Sequence, residues 1–161
     1  MARSTCRGKQ LNVNLSSSSR TILLLCATLL SLPARGADAA KAAAEASRSN
    51  NVGVAYMNQQ LPSKALVKFD EAHRADASSA IPLVNKGIAL IYLRRLPEAE
   101  QVLTAASLVD PANPRIWYSL GLARLDSGNQ PAALSAFQHA VEVDPQDADS
   151  HYYVGRSEER L

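Results

Sequence analysis

The sequence predicts an all-α protein built as an array of antiparallel helix pairs, and three observations predict it. Asn113 to Gln146 falls on itself when shifted back by 34 residues: Gly121 lands on Gly87, Ala133 on Ala99, Ala140 on Ala106, and Asp144-Pro145 on Asp110-Pro111. A second shift reaches Gly53, Ala65, Phe69, Ala72 and Asp76, and a forward shift reaches Gly155. Each copy holds two apolar patterns at helical spacing, such as Ile116, Leu120 and Ala123 and then Leu134, Phe137 and Val141. Composition agrees: 47% of residues are hydrophobic and 20% charged, only 5% are aromatic, and alanine and leucine dominate.

The first 36 residues read as an export signal. Residues 1–20 are basic, serine-rich and free of acids, Ile22 to Leu32 is apolar, and Pro33 and the small-residue stretch ARGADAA follow. The apolar run is about half the roughly 20 residues that a membrane-spanning helix needs. Cleavage after Gly36 or after Ala39 suits a signal peptidase equally well. An uncleaved membrane anchor and an organelle transit sequence are the alternatives, and the domain expected to follow is 37–161. The protein is therefore expected outside the cytoplasm, in a periplasm or secreted, with membrane contact only through an uncleaved N-terminal segment.

Charge divides at the same place. Five of the 17 basic residues (Arg3, Arg7, Lys9, Arg20, Arg35) precede Asp38 and no acid does, which leaves 12 against 15, a balance of −3. A chain without a Lys/Arg stripe cannot displace counterions from phosphate, so no nucleic-acid partner is expected. Both cysteines, Cys6 and Cys26, fall in the segment to be removed, leaving no disulfide and no free thiol.

Ala37 to Ser47 (ADAAKAAAEAS) is rich in the best helix former, with Lys41 and Glu45 spaced i,i+4, and either extends the first helix backwards or forms a linker. The repeats follow at about 46–79, 80–113 and 114–147, with a partial copy at 148–161. Asp126-Ser127-Gly128-Asn129 has the chemistry of a turn. Pro62, Pro97 and Pro131 then sit in the first turn of the second helices, where the missing N–H would be unpaired anyway. Asp110-Pro111 and Asp144-Pro145 stop those helices, because a residue before proline is pushed out of the α region. Gly87 and Gly121 cost a helix interior about 1 kcal/mol each relative to alanine, which suggests close approach by a neighbour. Ala99 with Ala106 and Ala133 with Ala140, seven apart on one face of the second helix, are expected to leave room for the first helix while Leu103 or Phe137 fills the gap between units. Neither helix buries its apolar face alone, so stacking completes the core.

Trp117, Leu120, Gly121, Ala133, Phe137, Ala140 and Pro145, at a 34-residue period, resemble the tetratricopeptide repeat. The resemblance covers about Ala46 to Leu161. It departs from the pattern at Ser49 and Leu83 in the Trp117 column, at Lys86 in the Leu120 column, and at Ala77, where the first closing proline is missing. The fourth copy begins at His151, Tyr152, Val154 and Gly155, and its last helix reads either as a cap or as the start of a longer protein.

The resemblance implies a right-handed superhelix whose first helices line a concave groove. Carried over residue by residue, the groove positions are Asn50, Val54 and Met57; Val84, Ile88 and Ile91; Arg115, Tyr118, Leu122 and Leu125; and Tyr152 and Arg156. About half of the aliphatic ones are expected in the core instead. The stripe suits an extended or helical peptide. Chaperone-binding members clamp a C-terminal carboxylate at positions that fall here on Asn50, Val54, Asn85, Arg115 and Ser119. Only Asn85, and loosely Arg115, have the chemistry, so that clamp is not expected.

No catalytic, metal or cofactor site is expected. His73, His139 and His151 occupy different repeat columns and form no metal-ligand spacing, and GxSxG and phosphate-loop motifs are missing. Glu98, Glu100, Asp147 and Asp149 read as acids near helix N-termini. The expected function is a non-catalytic scaffold or adaptor of the cell envelope that binds a protein or peptide. The alternative is an accessory module of a longer enzyme or envelope-assembly protein whose chemistry lies beyond Leu161. Self-association through Tyr152-Tyr153-Val154 is a third expectation.

Overall fold

The computed structural model describes residues 32–159, and among these residues every regular element is a helix. They are α1 (Leu32–Asn58), α2 (Pro62–Ala75), α3 (Ile81–Tyr92), α4 (Leu96–Val109), α5 (Pro114–Asp126), α6 (Gln130–Val143) and α7 (Ala148–Glu158). The alanine-rich stretch Ala37 to Ser47 is helical and belongs to α1, which resolves the choice left by its sequence. The basic and apolar parts of the expected signal, with Cys6 and Cys26, lie outside the described residues. The described residues from Ala40 onward form a compact unit that holds the repeats.

Each second helix starts on a proline in its first turn, Pro62, Pro97 and Pro131, and Pro82 and Pro114 serve α3 and α5 in the same way. Asn113 and Asn129 cap α5 and α6, their side chains accepting from the N–H groups of Arg115 and Ala132. The hairpin turns share one geometry. Gln60, Arg94 and Gly128, spaced by the repeat period, all have positive φ (58°, 58° and 83°). In each turn the next residue's N–H reaches back five residues: Leu61 to Tyr56, Arg95 to Leu90 and Asn129 to Arg124, all at 2.9 Å. This is the left-handed C-terminal helix motif that glycine suits best, yet glycine stands in only one of the three copies.

The turns between units depend on aspartate. Asp76, Asp110 and Asp144 end α2, α4 and α6, each donating its N–H to the carbonyl of an alanine four residues earlier. The Asp144 carboxylate accepts from the Gln146 N–H at 3.0 Å, and Asp76 accepts from the Ser78 N–H at 3.0 Å and its hydroxyl at 2.6 Å. These bonds to Ser78 hold the Asp76 carboxyl below its usual range. They explain how the first unit keeps its turn with Ala77 in place of proline.

The core is a repeated insertion. Phe69, Leu103 and Phe137 are fully buried, each flanked by equally buried alanines: Ala65 and Ala72, Ala99 and Ala106, Ala133 and Ala140. Each large side chain lies against the glycine of the preceding helix. A Cβ added at Gly87 would fall 2.5 Å from Leu103, one at Gly121 would fall 2.5 Å from Phe137, and one at Gly53 would collide with Phe69. Lys86, which stands in a core column, turns its amine out to Asp70 of α2 at 2.6 Å. Arg124 of α5 pairs with Glu100 of α4 at 2.8 Å.

Substitution at the glycine column is therefore expected to act in opposite directions along the stack. Gly121→Ala should destabilise by about 1–3 kcal/mol through overpacking against Phe137. Gly155→Ala, where an added Cβ meets nothing within 4 Å, should stabilise by up to about 1 kcal/mol through helix propensity. Urea unfolding of the two variants checks this, and equal effects would contradict it.

Candidate partner-binding groove

The first helices of successive pairs, α1, α3, α5 and α7, lie side by side. Asn85 of α3 donates through Nδ2 to Oδ1 of Asn50 on α1 at 2.8 Å. Tyr118 of α5 meets Tyr153 of α7 edge-on, with ring centroids 5.8 Å apart. This row carries every residue assigned to the groove from sequence.

Those residues divide into two groups. Val84 is a correction: it is only 3% exposed and packs with Ala80, Leu83, Ala106 and Ile116, so it belongs to the core and cannot touch a ligand. The reason is that α3 packs against α2, α4 and α5, which buries seven of its twelve residues, Val84 among them. Ile88, Ile91 and Met57 are half-buried and pack along the edges of the core clusters. Val54 is 39% exposed and Tyr152 61% exposed. Arg115 is exposed, while Asn50, Tyr118, Leu122, Leu125 and Arg156 are half-buried. The positions of a carboxylate clamp are largely used up: Asn50 and Asn85 bond to each other, Ser119 is buried and Val54 is apolar.

Arg115 and Tyr118 come together in a cavity of about 340 Å³ with Pro114, Asp144, Asp147 and Asp149. The three carboxylates were not foreseen as groove residues. Their spacing identified Asp147 and Asp149 only as helix-start acids, and Asp149 does lie in the first turn of α7. A second cavity, about 290 Å³, joins Met57 to Gln60, Pro62 and Tyr92. Tyr92 was missed because its repeat counterpart, Asp126, has no aromatic character, yet it is 73% exposed beside Met57. Tyr152 and Arg156 share a third cavity, about 510 Å³, with His151, Gly155 and Glu159.

The groove's electrostatics register on Tyr118. Burial pushes its phenol up to about 12 from 10.0, assisted by Tyr153 and by the negative charges of Asp149 and Asp147. Tyr118 also packs on Phe137, with centroids 5.9 Å apart, and so couples the groove to the core.

Two of the three histidines, His139 and His151, make defined contacts. The His139 ring meets Trp117 edge-on, centroids 4.1 Å apart, and its Nδ1 lies 2.9 Å from Glu142. His151 Nε2 lies 3.0 Å from the Pro145 carbonyl, and Trp117 Nε1 donates to the Pro111 carbonyl at 2.8 Å. His151 and Trp117 stand in the same repeat column and make the same contact. Because a carbonyl only accepts, the contact at His151 fixes the proton on Nε2. His73 has a buried Nδ1 with no hydrogen-bond partner among the described residues. Among the described residues no three His, Cys, Asp or Glu side chains gather as metal ligands, and no helix is long and apolar enough to cross a membrane.

Stacked helix hairpins with a 34-residue period, glycine-to-aromatic packing and a continuous face of first helices define a helical-repeat solenoid, a class of protein that works by presenting surface. The tetratricopeptide repeat family model matches residues 84–148 and 122–161, so this part of the chain is built of tetratricopeptide repeats. A search of the curated proteins finds no match. Among solved structures, the chain is similar to the tetratricopeptide (TPR) domain of Arabidopsis OM64, at 23% identity and TM-score 0.70 over 74% of this chain and 99% of that one. It is also similar to the first TPR of Spaghetti (RPAP3) bound to HSP90 peptide SRMEEVD, at 17% identity and TM-score 0.71 over 74% and 94% of the two chains. The second TPR domain of human RPAP3, in complex with HSP70 peptide SGPTIEEVD, matches at 18% identity and TM-score 0.68 over 74% and 98%. At these identities the likeness is one of fold.

A raised phenol means that the folded state holds the Tyr118 proton more tightly than the unfolded chain does. Its stabilisation is complete below the unfolded value of 10.0 and is lost as pH climbs towards about 12. Between those values the wild type should lose thermal stability relative to Tyr118→Phe. Melting curves of both proteins across that range check this, and parallel curves would contradict it.

Proposed function

We propose that this protein is an exported, non-catalytic adaptor that holds another protein or a peptide against its row of first helices. One observation carries the reading: the row presents accessible apolar and aromatic side chains, Val54, Tyr118, Leu122 and Tyr152, and Tyr118 and Tyr152 each line a cavity. Arg115 and the nearby carboxylates supply charges that would orient a ligand. Support also comes from the solved neighbours described as bound to HSP90 and HSP70 peptides, which share the repeat frame. The ligand here differs in kind from those acidic peptide ends, because Arg115 apart the positions that would clamp a carboxylate are apolar (Val54), buried (Ser119) or bonded to each other (Asn50 and Asn85). An apolar or aromatic segment with a basic flank fits better, its cation facing Asp144, Asp147 and Asp149. The basic, apolar and small-residue order of the N-terminal segment supports export.

Affinity capture with the mature domain from the native compartment, read by mass spectrometry, tests the adaptor role. Tyr118→Ala combined with Leu122→Asp should reduce recovery of the main partner at least about tenfold, in keeping with loss of a buried aromatic anchor. Tyr118→Phe, which keeps the ring against Phe137, should retain it. Unchanged recovery with the double variant, at unchanged helicity, would defeat the reading. N-terminal sequencing of the exported chain should find a start after Gly36 or Ala39, and an intact Met1 outside the cytoplasm would contradict cleavage.

A further inference from the structure

The two edges of the first-helix row differ in chemistry. At the edge formed by the helix C-termini, Met57 of α1 and Tyr92, the last residue of α3, share the cavity of about 290 Å³ with Gln60 and Pro62. Among the described residues no charged side chain lines it. Asp126, which stands in the Tyr92 column one unit later, is already paired with Arg94. At the opposite edge, where α5 begins, the cavity of about 340 Å³ sets three carboxylates, Asp144, Asp147 and Asp149, against one cation, Arg115. Their charge reaches the Tyr118 ring, whose phenol is raised first by burial and then further by Tyr153, Asp149 and Asp147. Along the row between the two cavities stand the half-buried Ile88 and Ile91 of α3 and Leu122 of α5.

Helix geometry sets the span. Tyr118 shifted back by one 34-residue period falls on Val84, eight residues before Tyr92. That offset rises about 12 Å along a helix. The two helices concerned, α3 and α5, are in direct contact, and packed helix axes lie about 10 Å apart. The diagonal from one cavity to the other is therefore about 16 Å, which an extended chain covers in about five residues.

We infer that the groove takes an extended peptide bearing a large apolar or aromatic residue and, about five residues away, a lysine or arginine. The first side chain enters the Met57–Tyr92 cavity, and the second enters the Tyr118 cavity facing Asp144, Asp147 and Asp149. This rests on the groove reading above and adds to it the order, spacing and charge of two anchors. Charge complementarity selects the ligand. A cation at the α5 edge meets three carboxylates and a tyrosine ring, whereas an acid there meets three like charges. At the other edge an apolar group loses water without displacing any charge. Joined by a short chain, the two anchors bind as one unit, so removing either weakens the whole.

The probe is an acetylated and amidated synthetic peptide in which four serine and valine residues separate a tryptophan from an arginine. Both chain orders are titrated calorimetrically into the full chain, and saturable binding of one is expected. Glutamate in place of the arginine should weaken it at least about tenfold, and so should Asp149→Lys, a change at an exposed side chain. Tyr92→Ala, also at an exposed side chain, should weaken it at least about fivefold. Circular dichroism of both variants should match the wild type. No saturable binding in either order overturns the inference, as does binding that ignores Asp149→Lys or Tyr92→Ala. Tighter binding with the anchors about eleven residues apart, the same span along a helix, also overturns it by assigning a helical ligand. Recovery of the native partner that falls with Tyr118→Ala and Leu122→Asp, but not with Asp149→Lys or Tyr92→Ala, would overturn this inference and leave the groove reading standing.

Discussion

The structure depends on one contact made three times: a phenylalanine or leucine of the second helix of a pair lying against a glycine of the first. Phe69 on Gly53, Leu103 on Gly87 and Phe137 on Gly121 each bring two helices closer than any Cβ would permit. The alanines on either side remove bulk from the same face, so the approach extends over two turns of helix. Interiors are packed to near-crystalline density, and such a contact fixes helix separation closely. It thereby sets which side chains remain for the open face. Tyr118 shows the coupling directly, since its ring packs in one cluster with Phe137 and Tyr153 and also lines the cavity that holds Arg115.

Electrostatic contacts play a lesser part. The pairs Lys86–Asp70, Arg94–Asp126 and Arg124–Glu100 all cross between helices or turns, but each is partly exposed to solvent. Pairs of that kind contribute at most about 1 kcal/mol. Their use is in register: they let Lys86 and Arg124 leave the helix row without an unpaired charge in the core. The aspartates ending α2, α4 and α6 do similar local work by holding the inter-unit turns, with or without proline.

Much of the fold was legible in the sequence because its signals recur. The 34-residue period, the proline starts and the aspartate stops all appear as helices and turns where they were expected, whereas Leu103 and Phe137, expected in the gap between units, lie against Gly87 and Gly121 of their own helix pairs. The turn at Gly128 was legible from its glycine; its equivalents at Gln60 and Arg94 carry the same left-handed backbone with residues that do not advertise it. The groove was less legible. Periodicity fixes which helix face a residue occupies but not how many neighbours cover that face. For that reason Val84, between helices on several sides, proved to be core, whereas Tyr118 in an equivalent column stayed half open. Asp144, Asp147 and Asp149 reach the groove through the turn that follows α6, a tertiary fact that spacing along one helix cannot carry.

The most direct measurement of the central claim is a double-mutant cycle between Gly121→Ala and Phe137→Ala, read as unfolding free energy in urea. If ring against glycine is the organising contact, the alanine at 121 destabilises the wild type but is neutral or stabilising once the Phe137 ring is gone. The coupling energy should then be about 1–3 kcal/mol. Strict additivity of the two substitutions would contradict the account.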